Sequence, residues 1–141
     1  MADVLGQLAY LHDSEVIEIS YVLTDPNSRK VILNLKAHPD TGHQPWDDKP
    51  LRVTASGVYL LRCESWGHVL GNEAINAWSQ GVSDDTRSQL AVHTSRGLHV
   101  PELEFTVTFH SGSFLELVCE TVSVEVIKEP EENDNRTEPI Q

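Results

Sequence analysis

The sequence predicts an all-β fold, either an antiparallel β-sandwich or a partly open barrel, with five to seven strands and one short helical insertion. Two observations predict it. In several segments apolar residues recur at every second position, which is the period of a half-buried strand. Prolines, glycines and asparagines stand between these segments, as they do in the turns of antiparallel sheets.

The domain organisation follows from length and composition. A chain of 141 residues suits one domain with a single core. We expect this β domain to span residues 1–128. The remainder, residues 129–141, is acidic, polar and proline-containing, so we expect it to be a disordered tail.

The first hairpin is predicted from residues 15–23 (EVIEISYVL) and 30–37 (KVILNLKA), which a turn-forming segment separates. The alternation gives each strand one apolar face. These faces consist of Ile17, Ile19, Tyr21 and Leu23 in the first strand and of Val31, Leu33 and Leu35 in the second.

The middle of the chain is predicted to contain a loop, a long strand and the helix. Residues 38–50 hold three prolines and three aspartates without periodicity, which indicates a loop. Residues 51–65 are predicted as one strand with a bulge or bend at Gly57. Residues 72–81 are predicted as the short helix, and residues 88–95 as a further short strand.

The last hairpin has the clearest alternation, in residues 102–110 and from Phe114 onwards. A three-residue loop, Ser111–Ser113, matches apolar side chains across the two strands, whereas a two-residue loop would place a glutamate on the core face. The predicted pairs are Phe109 with Leu115, Val107 with Leu117, and Phe105 with Cys119. After Cys119 the apolar positions change parity, which predicts a β-bulge near Glu120–Thr121.

Charge restricts the partners that the chain can have. The formal net charge is −12, of which residues 129–141 carry −4 and residues 1–128 carry −8. Such a field repels phosphate backbones, so we expect no nucleic acid as a partner. It favours a basic protein as a partner, and it equally serves solubility alone.

Several classes of protein have no support in the sequence. No run of about 18 or more apolar residues exists. The N-terminus has Asp3 and no lysine or arginine before its apolar residues, which is not typical of a secretory signal. We therefore expect a cytoplasmic chain with no membrane span. No phosphate loop, dinucleotide fingerprint or catalytic signature is found, so we expect no cofactor and assign no catalytic residue.

Two cysteines, Cys63 and Cys119, lie within apolar strand patterns and form no Cys-x-x-Cys pair. We expect buried, reduced thiols. If the two strands are neighbours, a disulfide between Cys63 and Cys119 is the alternative.

The segment AYLHDSEVIEIS places His12 and Asp13 side by side at the start of a strand. If the chain is extended there, Asp13 shares the core face with Ile17, while His12 lies on the outer face with Glu18. The two side chains would then point apart. Asp13 is expected at the rim of the core, where an ionised carboxylate needs hydrogen-bond donors. A structural role for the pair and a place in a pocket at the barrel end both remain open.

The loop at 38–50 contains further candidates. Its ionisable residues are His38, Asp40, His43, Asp47 and Asp48. Their spacing matches no metal-site template, so we expect a solvated polar loop and no metal. Trp46 is expected to close the end of the core, with a role as an exposed anchor for a partner as the alternative.

An acidic outer face is predicted on the last hairpin. Its members are Glu102, Glu104, Glu116 and Glu120. The predicted register places Glu104 opposite Glu120, although like charges across strands are unfavourable. The face is either a solvated surface or a contact for a basic partner.

The segments LHDSEVIEISY, VILNLKA, LRVTASGVYLLRCESW and LEFTVTFHSGSFLELVCETVSVE follow one another in this order. The chain thereby resembles small bacterial all-β proteins that open with a Leu/Trp-His-Asp-Ser run, mostly uncharacterised, some of which look like immunity proteins of polymorphic toxin systems. The resemblance covers residues 8–126 and its motif falls on His12, Asp13 and Ser14. It implies a single cytoplasmic β domain without an established activity, and no catalytic role is carried over to these residues.

These observations favour a non-enzymatic protein-binding domain that recognises a basic partner, and an immunity-type inhibitor is one such domain. The alternative is a small-ligand-binding or hydrolytic pocket at the barrel end, built from His12, Asp13, Trp46 and His68. Self-association through exposed edge strands is a third hypothesis.

Overall fold

Two four-stranded antiparallel sheets form the fold in a computed structural model, which describes residues 6–22, 28–64 and 74–127. The strands and the helix are β1 (Glu15–Val22), β2 (Lys30–Lys36), β3 (Pro50–Ser56), β4 (Leu60–Glu64), β5 (Ile75–Gln80), α1 (Asp84–Ser95), β6 (Leu103–Phe109), β7 (Phe114–Cys119) and β8 (Thr121–Val126). The first sheet has the order β1-β2-β3-β8 and the second the order β4-β7-β6-β5. The predicted all-β class is confirmed, and the molecule is not a closed barrel.

The two sheets are joined at a corner where two long strands bend. The chain passes from β3 to β4 at Gly57, whose φ of 63° is in the left-handed region that glycine tolerates. It returns from β7 to β8 at Glu120, whose N–H donates to the carbonyl of Ser56 at 3.0 Å. The predicted bend at Gly57 is confirmed. The parity change after Cys119 arises because the chain changes sheets, not from a bulge within one sheet.

The edge strands β1 and β5 meet at a short seam. The N–H of Asp13 donates to the carbonyl of Ile75 at 2.7 Å, and the N–H of Ile75 donates to the carbonyl of Ser14 at 3.0 Å. An isolated bridge between Glu15 and Ala74 completes it. Because the ladder continues no further among the described residues, the sheets touch here without closing a barrel.

Apolar side chains from the inner faces of both sheets form the core. Its largest fully buried members include Phe105, Leu33, Leu35, Leu51, Ile75 and Leu117. Trp46 is only 8% exposed and belongs to this cluster, so its predicted place at the end of the core is confirmed.

Strand β1 departs from simple alternation. Its pairing with β2 shifts between Val16 and Glu18, which leaves Ile17 as the bulged residue, 60% exposed. Val16 and Ile19 pack against the core instead. The predicted core position of Ile17 is therefore wrong, because a bulge inserts one residue and changes the faces on one side of it.

In the last hairpin the side chains lie on the predicted faces, but β6 and β7 pair in a different register. Val107 pairs with Leu115 and Phe105 with Leu117, so the partner strand is displaced by two residues from the predicted pairs. A shift of two keeps every side chain on its face, so the apolar pattern could not distinguish the two registers. The loop again has three residues, but it spans 110–112 and not the predicted Ser111–Ser113, because Phe109 faces Ser113. Gly112, with a φ of 97°, supplies the left-handed residue that such a loop requires.

The region between β4 and β6 differs most from the prediction. Residues 75–80 form the strand β5, not a helix, and the helix α1 occupies the segment predicted as loop and strand. Residues 72 and 73 of the predicted helix lie outside the described residues. Within α1 only Thr86 and Leu90 are buried, so the helix has no continuous apolar stripe that periodicity could detect.

Both cysteines are free thiols. Cys119 is buried, and burial raises its pKa to about 12. Cys63 is exposed on the edge strand β4, so its predicted burial is wrong. Among the described residues, no helix is long and apolar enough to cross a membrane.

Candidate functional site

The LHDS segment forms a turn and is not extended. A short 3-10 turn at Ala9–Leu11 precedes it, and Asp13 has a φ of 65°. Leu11 and Ser14 on either side are fully buried. These two residues anchor the turn to the core and leave His12 and Asp13 on the surface.

Asp13 lies between two histidines. Its Oδ2 is 3.2 Å from Nδ1 of His12, and its Oδ1 is 3.1 Å from Nε2 of His110. The prediction that His12 and Asp13 point apart is therefore wrong, because the turn brings both side chains together. The predicted place of Asp13 at the core rim is also wrong, since its side chain is 49% exposed.

The contact with His110 joins three segments of the chain. His110 belongs to the turn between β6 and β7, and its N–H donates to the carbonyl of Ala74 at 2.9 Å. Asp13 itself donates to Ile75 through its backbone. The N-terminal turn, the start of β5 and the β6–β7 turn thus meet at one carboxylate.

The pKa of Asp13 lies below its usual value of 3.8, chiefly because His12 hydrogen bonds to the carboxylate, with a smaller effect from His110. We expect an NMR titration of the Asp13 carboxyl group to show this lowered pKa. In the double variant His12→Gln, His110→Gln the pKa should move up towards 3.8. An unchanged pKa in that variant would contradict the assigned contacts.

A cleft of about 280 Å³ opens beside Asp13, and we call it the Asp13 cleft. It is lined by Asp13, Glu15, Lys36, Ala37, His38, Pro39 and Asp48. The lining contains three carboxylates and one lysine, and Lys36 is already 3.3 Å from the carboxylate of Asp48. The lining therefore has more carboxylates than its one lysine can balance.

The loop that forms one wall of the cleft is held by internal hydrogen bonds. The carboxylate of Asp47 accepts from the hydroxyl and from the N–H of Thr41, the latter at 2.9 Å. These bonds lower the pKa of Asp47. His43 stacks on Tyr10 and meets Trp46 edge to face. The loop is thus ordered, while His38, Asp40 and Asp48 are exposed to solvent as predicted.

The loop ligands do not assemble into a metal site. The part of the chain that the structure describes contains no group of three or more histidine, cysteine, aspartate or glutamate side chains placed to hold an ion. His38 instead accepts a hydrogen bond on Nδ1 from the N–H of Asp40 at 3.0 Å.

The four glutamates expected on one acidic face are separated. Glu116 is 2% exposed and lies beneath α1, and Glu104 pairs with Arg87 of that helix at 2.8 Å. Glu102 and Glu120 are exposed. Glu104 lies opposite Val118, so the predicted pairing with Glu120 is wrong. Helix α1 covers the face that was expected to be open.

Glu116 has a dense set of donors. Arg62 Nη1 lies 3.2 Å from its Oε1, the N–H of Ser83 donates to its Oε2 at 2.8 Å, and the hydroxyl of Thr86 also donates to it. Burial by itself opposes ionisation of Glu116, but the hydrogen bonds from Thr86, Ser83 and Arg62 together lower its pKa. This carboxylate holds the start of α1 on the second sheet and is not a surface contact.

Sequence reasoning missed that several residues gather near Asp13. Glu15, Lys36 and His110 were not candidates, whereas His38 and Asp48 were considered only as members of the loop. All five approach Asp13 because β1, β2 and the β6–β7 turn converge. The predicted pairing of β1 with β2 already placed Glu15 and Lys36 at neighbouring strand ends, so their position near Asp13 could have been inferred from the sequence. The contact with His110 depends on the seam with β5 and had no such signal. His68, the remaining candidate, lies outside the described residues.

Comparison with known proteins gives no relative for this chain: no family model matches it, and neither the curated proteins nor the solved structures provide a significant match.

Proposed function

We propose that the chain is a non-enzymatic binding domain for a basic protein, and that the Asp13 cleft receives a basic side chain of this partner. The observation that carries the proposal is the convergence of Asp13, Glu15 and Asp48 on one concave surface with a single lysine. An arginine or lysine from a partner would balance this charge through charge-assisted hydrogen bonds.

The charge of the whole chain supports the same partner. A net charge of −12 accelerates encounter with a basic protein and slows encounter with an acidic one. An immunity-type role, in which the domain inhibits a basic toxin, is consistent with this charge and with the resemblance carried by the LHDS motif. We include that role in the proposal.

The alternative pocket at the barrel end needs His12, Asp13, Trp46 and His68 around one cavity. Trp46 is buried in the core and is not part of the lining of the Asp13 cleft. The part of the hypothesis that rests on His68 lies outside the described residues. Binding of a protein is therefore the function that we propose.

The test compares two double variants that remove equal charge. Wild-type protein, immobilised and exposed at low salt to proteins of its source cells, should retain a basic partner. The variant Glu15→Gln, Asp48→Asn should bind that partner at least about tenfold more weakly, as expected for loss of charge pairs in a cleft. Affinity is measured by interferometry with the purified partner.

The matched control is the variant Glu18→Gln, Glu125→Gln, which removes two carboxylates from the exposed outer face of the first sheet. It should bind nearly as wild type. If both double variants lose the same affinity, the partner senses only net charge and the cleft has no specific role. If wild type retains no basic protein, the proposed function is wrong.

A further inference from the structure

A second cleft lies at the corner where the chain passes between the sheets. It has a volume of about 240 Å³, and we call it the corner cleft. It is lined by Arg29, Gly57, Val58, Tyr59, His99, Pro101 and Glu120. The volume is just below the range of about 300–1,000 Å³ typical of ligand pockets, which restricts any occupant to a small molecule.

Within the described residues, the Nε of Arg29 offers this cleft a donor that has no acceptor. Its Nε is buried and has no hydrogen-bond acceptor, and no ion pair of Arg29 occurs in the described part of the chain. Its carbonyl accepts from the N–H of Val58 at 3.2 Å, which holds the residue against the cleft wall. A buried guanidinium N–H without an acceptor is costly, and a carboxylate is the acceptor that fits a guanidinium best.

Glu120 supplies the opposite charge. Its carboxylate lies over Gly57, so close that a side-chain carbon at Gly57 would come within 2.6 Å of Oε1. Despite sharing the cleft, Glu120 and Arg29 form no ion pair within the described ranges. One cationic and one anionic group thus face the same small space without neutralising each other directly.

Tyr59 and His99 contribute the remaining polar side chains of the cleft wall. The hydroxyl of Tyr59 is 2.6 Å from Nδ1 of His93, which ties the wall to the last turn of α1. His99 is exposed at the rim. The wall is therefore held by the sheet corner on one side and by the helix on the other.

We propose that the corner cleft binds a small zwitterion, a molecule that carries both a carboxylate and an ammonium group, as a free amino acid does. Its carboxylate pairs with Arg29 and its ammonium group with Glu120. A simple anion would satisfy Arg29 but would meet the negative charge of Glu120. A zwitterion satisfies both groups, which is why it is preferred here. This site is separate from the Asp13 cleft and does not depend on the function proposed for it.

The experiment is an NMR titration of the full chain with glycine and with phenylalanine. Saturable shifts of the Val58, Tyr59 and His99 amides are expected for at least one of them. Arg29→Gln and Glu120→Gln should each weaken binding about tenfold, which corresponds to loss of one charge-assisted contact. Acetate and methylammonium, the two halves of the ligand, should each bind more weakly than the complete zwitterion.

Two variants control for net charge. Arg96→Gln and Glu102→Gln remove the same charges at exposed positions that do not line the cleft, and both should bind as wild type. Since Glu120 is exposed, its variant is expected to fold even if Arg29→Gln does not. The proposal is overturned if neither amino acid gives saturable shifts, or if Glu120→Gln binds as tightly as wild type. Acetate that binds to wild type as tightly as the amino acids do would also overturn it, since that result identifies an anion site.

Discussion

Replacing Glu116 with alanine is expected to lower the free energy of unfolding by about 3 kcal/mol, because buried ionic groups that lose a partner typically cost 3–5 kcal/mol and Arg62 retains partial access to water. The substitution removes the acceptor of the Ser83 N–H and of the Thr86 hydroxyl at the start of α1. Urea denaturation monitored by circular dichroism measures the change.

The matched control is Glu104→Ala on the neighbouring strand. Glu104 also pairs with an arginine of α1, but Arg87 is mostly exposed, and such pairs contribute about 0–1 kcal/mol. Equal losses in the two variants would contradict the special role of Glu116. Because the folded-state pKa of Glu116 is below its usual value of 4.5, its contribution is complete above pH about 4.5. The contribution is lost as the pH falls through the folded-state pKa, so the difference between wild type and Glu116→Ala should shrink in acid.

Replacing Gly57 with alanine is expected to destabilise the domain by about 2 kcal/mol. A left-handed backbone costs an L-residue about 1–2 kcal/mol, and the new side chain must also displace Glu120. The atoms that the added carbon would meet are Cγ, Cδ and Oε1 of Glu120. Urea denaturation again provides the measurement.

A double-mutant cycle separates the two causes. In a Glu120→Ala background the displaced atoms are absent, so Gly57→Ala should cost only about 1 kcal/mol, the part that comes from the backbone. The same cost in both backgrounds would show that Glu120 moves away freely. A substitution without any cost would contradict the assigned conformation of Gly57.

The strands could be predicted from the sequence where one face is buried and the other is exposed to solvent. Alternation identified β1, β2, β3 and the last hairpin, because a period of two is a direct consequence of strand geometry. The same reasoning failed at Ile17, since a single bulge inverts the faces without leaving a sequence signal of its own. It also could not choose between hairpin registers that differ by two residues.

The helix was missed because its sequence, DDTRSQLAVHTS, has almost no apolar periodicity. Its stability comes from caps and from contacts with the second sheet, which periodicity does not detect. Local signals were present: Ser83 caps the first turn, Asp84 and Asp85 follow it at the positive end of the helix dipole, and Gly97 comes after its end. Strand β5 was mistaken for a helix because its edge position leaves it short and only partly buried.

The candidate site was predictable only in part. The motif singled out His12 and Asp13, but their geometry depends on a turn that strand parity could not foresee. Glu116 illustrates the opposite error. An acidic residue in a strand was taken as exposed, whereas three donors from β4 and α1 made its burial favourable.

The bent strands at the corner have a mechanical consequence for the whole molecule. Residues 50–64 and 114–126 form one continuous two-stranded ribbon, whose first part belongs to one sheet and whose second part belongs to the other. Strain applied to either sheet is therefore transmitted to the other through the covalent backbone of the ribbon. For the same reason the two sheets cannot slide past each other as separate layers would. Gly57 and Glu120, which face each other across this ribbon, connect the rigidity of the fold with the shape of the corner cleft.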